Sequence, residues 1–222
     1  MTPKQSGIRS ALATVLIVEL CLTTVFVNCC LGADYADKRP YAERHKCVID
    51  DTKSFTLAEN GEAKADIVIP EHCSKVVDFA AKELKKYLDK STGADFKIIR
   101  DTSFRRAPQP VRKRLAIMLG ESPWTGAMTG INFPALPRDS FVIKEINGAI
   151  IIAGHDDPYF DTEKEIADKS GYWHRYEHAT LFGVYDFLER FAGVRFYFPV
   201  EELIYVPKTK VLKIPSMNIE EA

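Results

Sequence analysis

The side chains of this sequence that could do chemistry fall into a few small groups. Asp156 and Asp157 are adjacent carboxylates after an apolar run, the residue type that supplies both acid and base for cleaving a sugar linkage. Neighbours in extended chain point apart. Glycosidase carboxylates stand about 5–9.5 Å from each other with the sugar between them, so the pair reads as a solvated turn and an active glycosidase built on it is the least favoured function. His155, His174 and His178 share a polar stretch with Asp161. Only His174 and His178 would lie on one face, and only within a helix, so they read as exposed histidines. His45 with Cys47 and His72 with Cys73 bring further soft ligands. The C-x2-C spacing of structural zinc sites is missing, however, and no metal is assigned. Gly120-Glu121-Ser122-Pro123-Trp124 opens like a nucleophile elbow and then lacks the second glycine. There is no glycine-rich phosphate loop. No catalytic residue and no cofactor follow from these motifs.

Aromatic side chains are the unusual feature. Phe182, Phe187, Phe191, Phe196, Tyr197 and Phe198 crowd one short stretch. Leu181, Val184, Tyr185 and Leu188 already complete one helical face, so Phe182, Phe187 and Phe191 widen the apolar arc beyond a single stripe. Phe196 and Phe198 alternate with Tyr197 across a strand. The stretch makes either a thick core or a surface that meets another domain, and these six residues are the interface candidates. Tyr172 and Trp173 form a weaker pair, able to stack on a sugar ring or to plug the segment that carries them.

The elements that must position these residues alternate between helical and two-residue periods. Ser54–Leu57 and Ala65–Ile69 read as strands around the Asn60-Gly61 turn, with Pro70 ending the second. Ser74 caps a helix whose stripe is Val76, Val77, Ala80, Leu84, Tyr87 and Leu88, with Gly93 as its stop. Phe96–Ile99 and Leu115–Leu119 have strand length, joined by a basic, proline-containing run without aromatic partners that reads as a solvated connection. Ser140–Ile146 and Ala149–Ala153 flank Asn147-Gly148 as a hairpin. A polar insertion spans 155–178. A second helix runs from about Thr180 to Ala192, and Val194–Phe198, Leu203–Val206 and Val211–Ile214 are the last strands. The pattern predicts an α/β (α+β) sandwich, a mixed sheet with two main helices.

A 46% hydrophobic and 27% charged composition over 222 residues describes a folded chain. A net charge of -1 gives no reason to expect nucleic acid or anionic membrane as partner. Residues 1–33 read as a secretory signal: Lys4 and Arg9 precede an apolar run from Ala11 to Phe26, and cleavage is expected after Ala33. Glu19 within that run argues against a permanent anchor, because a charge at the centre of a spanning helix costs about 2.5–3.5 kcal/mol. The expected location is secreted or periplasmic, with no membrane attachment after cleavage. Residues 34–53 form a polar lead-in, 54–215 the folded domain and 216–222 a tail. Of the five cysteines only Cys47 and Cys73 lie beyond the signal. They either pair, a bond worth about 3 kcal/mol for a loop of this size, or stand as free thiols.

Ala179-Thr180-Leu181-Phe182-Gly183-Val184-Tyr185-Asp186-Phe187-Leu188-Glu189-Arg190, followed by Gly193-Val194-Arg195-Phe196-Tyr197-Phe198-Pro199, resembles the small α/β domain preceding the catalytic barrel in family 67 α-glucuronidases and in family 20 and 84 hexosaminidases. Ala65–Pro70, the Ala80–Leu88 helix with Ser91-Thr92-Gly93-Ala94, Leu119-Gly120, Ser140–Ile143 and Ile151–Gly154 fit the same order. The resemblance covers roughly residues 54–215 and implies a hexosaminidase domain 2-like fold. In those families the cleaving carboxylates sit on the barrel. A barrel takes about 250 residues, and no position here receives the family's acid or nucleophile. The resemblance therefore implies a secreted, non-catalytic accessory domain of polysaccharide degradation, split or truncated from its barrel. Its expected partner is that barrel or another protein. A stand-alone polysaccharide-binding module, using Tyr172 and Trp173, is the alternative.

Overall fold

The computed structural model describes residues 45–101, 114–168, 175–198 and 200–221. Ten strands and four helices are described: β1 (Lys46–Glu59), β2 (Glu62–Ala63), β3 (Ala65–Pro70), α1 (Lys75–Thr92), β4 (Ile98–Asp101), β5 (Leu115–Leu119), α2 (Pro123–Thr129), β6 (Phe141–Ile146), β7 (Ala149–Gly154), α3 (Thr162–Asp168), α4 (Ala179–Phe191), β8 (Arg195–Phe196), β9 (Ile204–Tyr205) and β10 (Val211–Glu221). Eight strands form one mixed sheet in the order β2-β1-β10-β6-β7-β5-β3-β4. The β7-β5-β3-β4 half is parallel, and the rest is antiparallel. This is the mixed α/β sandwich that the alternating periods predict.

Cover on both faces explains why the central parallel strands β5 and β7 are apolar throughout. Ile67 and Ile69 of β3, Ile117 and Leu119 of β5, and Ile150 and Ile152 of β7 face a large core beneath α1 and α4. Val68, Met118, Ile151 and Ala153 point the other way, into a smaller core. A strand flanked on both faces must be apolar at every position. On the large side, α1 and α4 lie side by side, and the Tyr185 hydroxyl donates to Glu83 Oε2 at 3.0 Å. Each fully buried Leu, Ile or Phe in that layer contributes roughly 1.5–3 kcal/mol over an exposed one. On the other face, Trp124 and Met128 of α2, with Ile131, Phe133 and Leu136 after it, cover the sheet. The helices therefore lie on both faces, where the sequence patterns had marked only α1 and α4.

The helix ends follow their local chemistry. Ser74 accepts a hydrogen bond from Val77 N at 3.2 Å, and Gly93 closes α1 in the left-handed region at φ 71°. The Asn147-Gly148 turn joins β6 to β7 with φ of 51° and 80°, as a two-residue hairpin requires.

Three strands differ from their sequence expectation. β1 begins at Lys46, well inside the polar lead-in, because backbone pairing with β10 builds it: Lys46 sits opposite Glu220 and Cys47 opposite Ile219. Bulges between Asp50 and Ser54 and between Thr56 and Ala58 let this exposed strand follow the curve of its neighbour. β10 likewise continues past Ile214 to Glu221 through Pro215, which lies opposite Ser54 at the first bulge. Val194–Phe198, expected as one strand, keeps only Arg195 and Phe196, paired with Tyr205 and Ile204 in a separate small ribbon. Among the described residues no helix is long and apolar enough to cross a membrane.

Candidate functional site

The parallel strands β3, β5 and β7 all end at one edge of the sheet, and the turns leaving them converge on a cavity of about 440 Å³. From the end of β3 come His72, Cys73 and Ser74; from β5, Glu121 and Ser122; from β7, Asp156. Asn132 and the apolar Ile131, Phe133 and Pro134 close the side beyond α2. The crevice beyond the carboxyl ends of parallel strands is where open α/β sheets place ligands.

Local chemistry shapes each turn. Gly120 leaves β5 at φ 85°, a region that L side chains rarely adopt. A Cβ there would stand 2.6 Å from Val77 Cγ2, so the first turn of α1 closes against this bend only because the residue is glycine. Ser122 then caps α2. Its Oγ accepts from Thr125 N at 3.0 Å, and its own N–H donates to Thr125 Oγ1 at 2.9 Å, a reciprocal capping box with Pro123 at the first helical position. The Ser122 hydroxyl therefore serves as a structural cap.

Asp156 and Asp157 diverge, and only Asp157 behaves as a turn residue. Its Oδ1 accepts from the N–H groups of Tyr159 and Phe160 at 2.8 and 2.9 Å. Asp156 corrects the expectation of a solvated turn: it is only 8% exposed. His178, at the N-cap of α4, makes no side-chain cap hydrogen bond. Asp156 Oδ1 takes that task from across the fold, accepting from Thr180 N at 2.9 Å. Its Oδ2 is buried without a hydrogen-bond partner. Burial pushes the Asp156 carboxyl up to about 7, against the opposing effect of the Thr180 hydrogen bonds, and the nearby Glu121 charge adds to the rise. Glu121 Oε2 in turn lies 2.7 Å from His155 Nδ1. Beside them, burial pushes the Cys73 thiol pKa up despite the Arg100 guanidinium, which keeps it a thiol and a poor nucleophile.

The other predicted residues are dispersed. Phe187 is 0% exposed, inside the large core, and so is no surface residue. Phe191 stands 5.3 Å from it. Phe182 is half-buried with its ring 5.9 Å from His178. Phe196 is half-buried, edge-on to Tyr87 at 5.2 Å and Tyr185 at 4.9 Å. Tyr197 at 67% and Phe198 at 63% are exposed. Val200, Leu203 and Tyr205, which periodicity did not single out, are exposed beside them in the chain. Tyr172, Trp173 and His174 lie outside the described residues. His178 is buried edge-on against Phe160 at 4.7 Å, and burial lowers its pKa. Asp161 pairs with Lys75.

Cys47 and Cys73 are both free. Sheet width is the reason. Val48, next to Cys47, lies level, through Asn218, Lys144, Ile151 and Met118, with Val68 of β3. That is five strand spacings, about 24 Å, where a disulfide needs Cα atoms about 4.4–6.8 Å apart. Cys73 lies only five residues beyond Val68.

No protein-family model matches the sequence, and no curated protein does. Among solved structures, a chitobiase of glycoside hydrolase family 20 from Flavobacterium johnsoniae matches 79% of this chain at 17% identity and a TM-score of 0.38. A family GH115 4-O-methyl-α-glucuronidase, BtGH115A, with specificity for decorated arabinogalactans, matches 72% at 15% identity and a TM-score of 0.36. The match spans only 19% of the first enzyme and 18% of the second.

Proposed function

We propose that this chain is a secreted, non-catalytic accessory domain of a carbohydrate-degrading system, which docks a catalytic barrel through the surface around β8 and β9. The observation that carries the reading is the exposure of Tyr197, Phe198, Val200, Leu203 and Tyr205 within nine residues of chain. An apolar group of this density at a surface marks association. Aromatic side chains supply most of the energy when such surfaces are buried. The occupant is argued from the ordered resemblance of residues 54–215 to domains that precede glycosidase barrels. The non-catalytic role is supported by the fates of the candidate nucleophile and turn carboxylate: Ser122 is spent as a helix cap and Asp157 as a turn acceptor.

The test is to read the coding sequence beside that of this chain for a glycosidase barrel, whose absence refutes this partner, and to titrate the barrel so found against this chain. Tyr197→Ser combined with Phe198→Ser is expected to weaken the complex about 30-fold or more, the equivalent of one aromatic hot spot. Equal binding by wild type and double variant refutes the docking surface. Hydrolysis of an aryl glycoside by this chain alone refutes the non-catalytic role.

A further inference from the structure

The cavity at the carboxyl edge is not used by the docking reading, and its lining has a definite chemistry. We infer that it binds a neutral, hydroxyl-rich ring of monosaccharide size, held by Glu121 and Asn132 above Asp156 and against an apolar wall of Ile131, Phe133 and Pro134.

The position comes first. β3 is followed along the chain by β4 on one side of it and by β5 on the other, so the strand order reverses at the mouth of the cavity. Ligands of open α/β sheets lie at such reversals. A volume of about 440 Å³ falls within the range of small-molecule sites.

The second observation is Asp156 itself. It is more than nine-tenths buried, lines the cavity, and leaves Oδ2 without a partner. That atom is closed even to water, so Asp156 shapes the floor of the cavity and the polar contacts to a ligand fall to Glu121 and Asn132. Glu121 offers a carboxylate acceptor, and Asn132 both a donor and an acceptor.

Charge then selects the class. The lining contains no lysine or arginine, and the Arg100 guanidinium, 3.7 Å from Cys73 Sγ, is already paired with Asp78, so a phosphate or carboxylate ligand would face Glu121 without a free countercharge. No group of three metal-ligating side chains occurs among the described residues. Glu121 already shares Oε2 with His155, which leaves little to recruit an amine. What remains is a ligand with hydroxyls on one side and C–H groups on the other, matching the polar and apolar walls.

Cys73 lines the same cavity, and Cys47 lies on β1 away from it, so the two thiols serve as reporter and control. Alkylation of each is followed by peptide mass mapping of the whole chain in the presence of xylose, galactose or N-acetylglucosamine, and of glucuronate or inorganic phosphate. Only free protein exposes Cys73, so a neutral sugar at four times its Kd is expected to slow Cys73 about fivefold and leave Cys47 unchanged. Glucuronate and phosphate are expected to protect neither. A tetrasaccharide of the same sugar, run in parallel, separates a chain end from a free sugar, and protection by either supports the site. Asn132→Ala alters a rim side chain and is expected to abolish protection without changing the unliganded rate. Failure of every neutral sugar to slow Cys73, equal protection by glucuronate or phosphate, or full protection in Asn132→Ala overturns the inference. None of these outcomes depends on whether Tyr197 and Phe198 dock a barrel.

Discussion

Replacing Asp156 by Asn turns the burial of this carboxyl into a measurable stability. The side chain keeps an oxygen to accept from Thr180 N but loses its titration. In the wild type the carboxyl binds its proton up to about pH 7 in the folded state, against an ordinary value of 3.8. Between those values the folded state holds more protons than the unfolded chain, so stability falls as pH rises, and the full loss is present above about pH 7. A displacement of about 3 pH units corresponds to about 4 kcal/mol. At about pH 4.5 roughly 1 kcal/mol of that has been lost, because the unfolded carboxyl is already mostly ionised. The stability of Asp156→Asn minus that of wild type is therefore expected to grow by about 3 kcal/mol from about pH 4.5 to about pH 8.5. Urea unfolding followed by tryptophan fluorescence at the two pH values measures it, and taking the difference cancels the titrating groups that do not act on Asp156, leaving Glu121 and His155 as the coupled ones. A difference that stays constant with pH would show that Asp156 ionises freely, and would remove the buried, unpaired carboxyl from the description of the cavity.

Two further outcomes test the packing around that site. Gly154→Ala places a Cβ 2.3 Å from Ala179 Cβ and 2.4 Å from Ser140 O. Because backbone cannot yield cheaply, it should destabilise by at least about 1–3 kcal/mol in thermal unfolding, and an unchanged midpoint contradicts the close approach of α4 to β7. Without reductant, Cys47 and Cys73 should both alkylate, Cys47 faster because it is exposed while the Cys73 thiol is half-buried with a raised pKa. Recovery of a Cys47–Cys73 cross-linked peptide contradicts the strand order between them.

Where local rules decide the outcome, the sequence is a good guide. The Ser74 cap, the Gly93 stop and the Asn147-Gly148 turn depend on interactions within a few residues, and the structure has them where the patterns predict. β1 was hidden because backbone pairing, not an alternating buried face, builds it: in Lys46–Asp50 even Val48 and Ile49 are exposed, yet all five residues are paired with β10. Among the aromatics, periodicity could show that α4 is apolar around much of its circumference. It could not say that Phe187 is buried in the core while Tyr197 and Phe198 stand exposed beyond α4.

The cavity shows the same division more sharply. Its signal was present in part, since Glu121 and Asp156 each follow closely on an apolar run that ends in glycine, Gly120 and Gly154. What the order of residues determined was the set of strands, the helix caps and the turns that stop them, because each is a local free-energy choice. What only the tertiary structure decided was that the ends of β3, β5 and β7 lie side by side, and that Thr180 draws Asp156 inward while Asp157 turns outward. Those depend on strand order and helix docking, interactions between residues far apart in the chain, which no local pattern records.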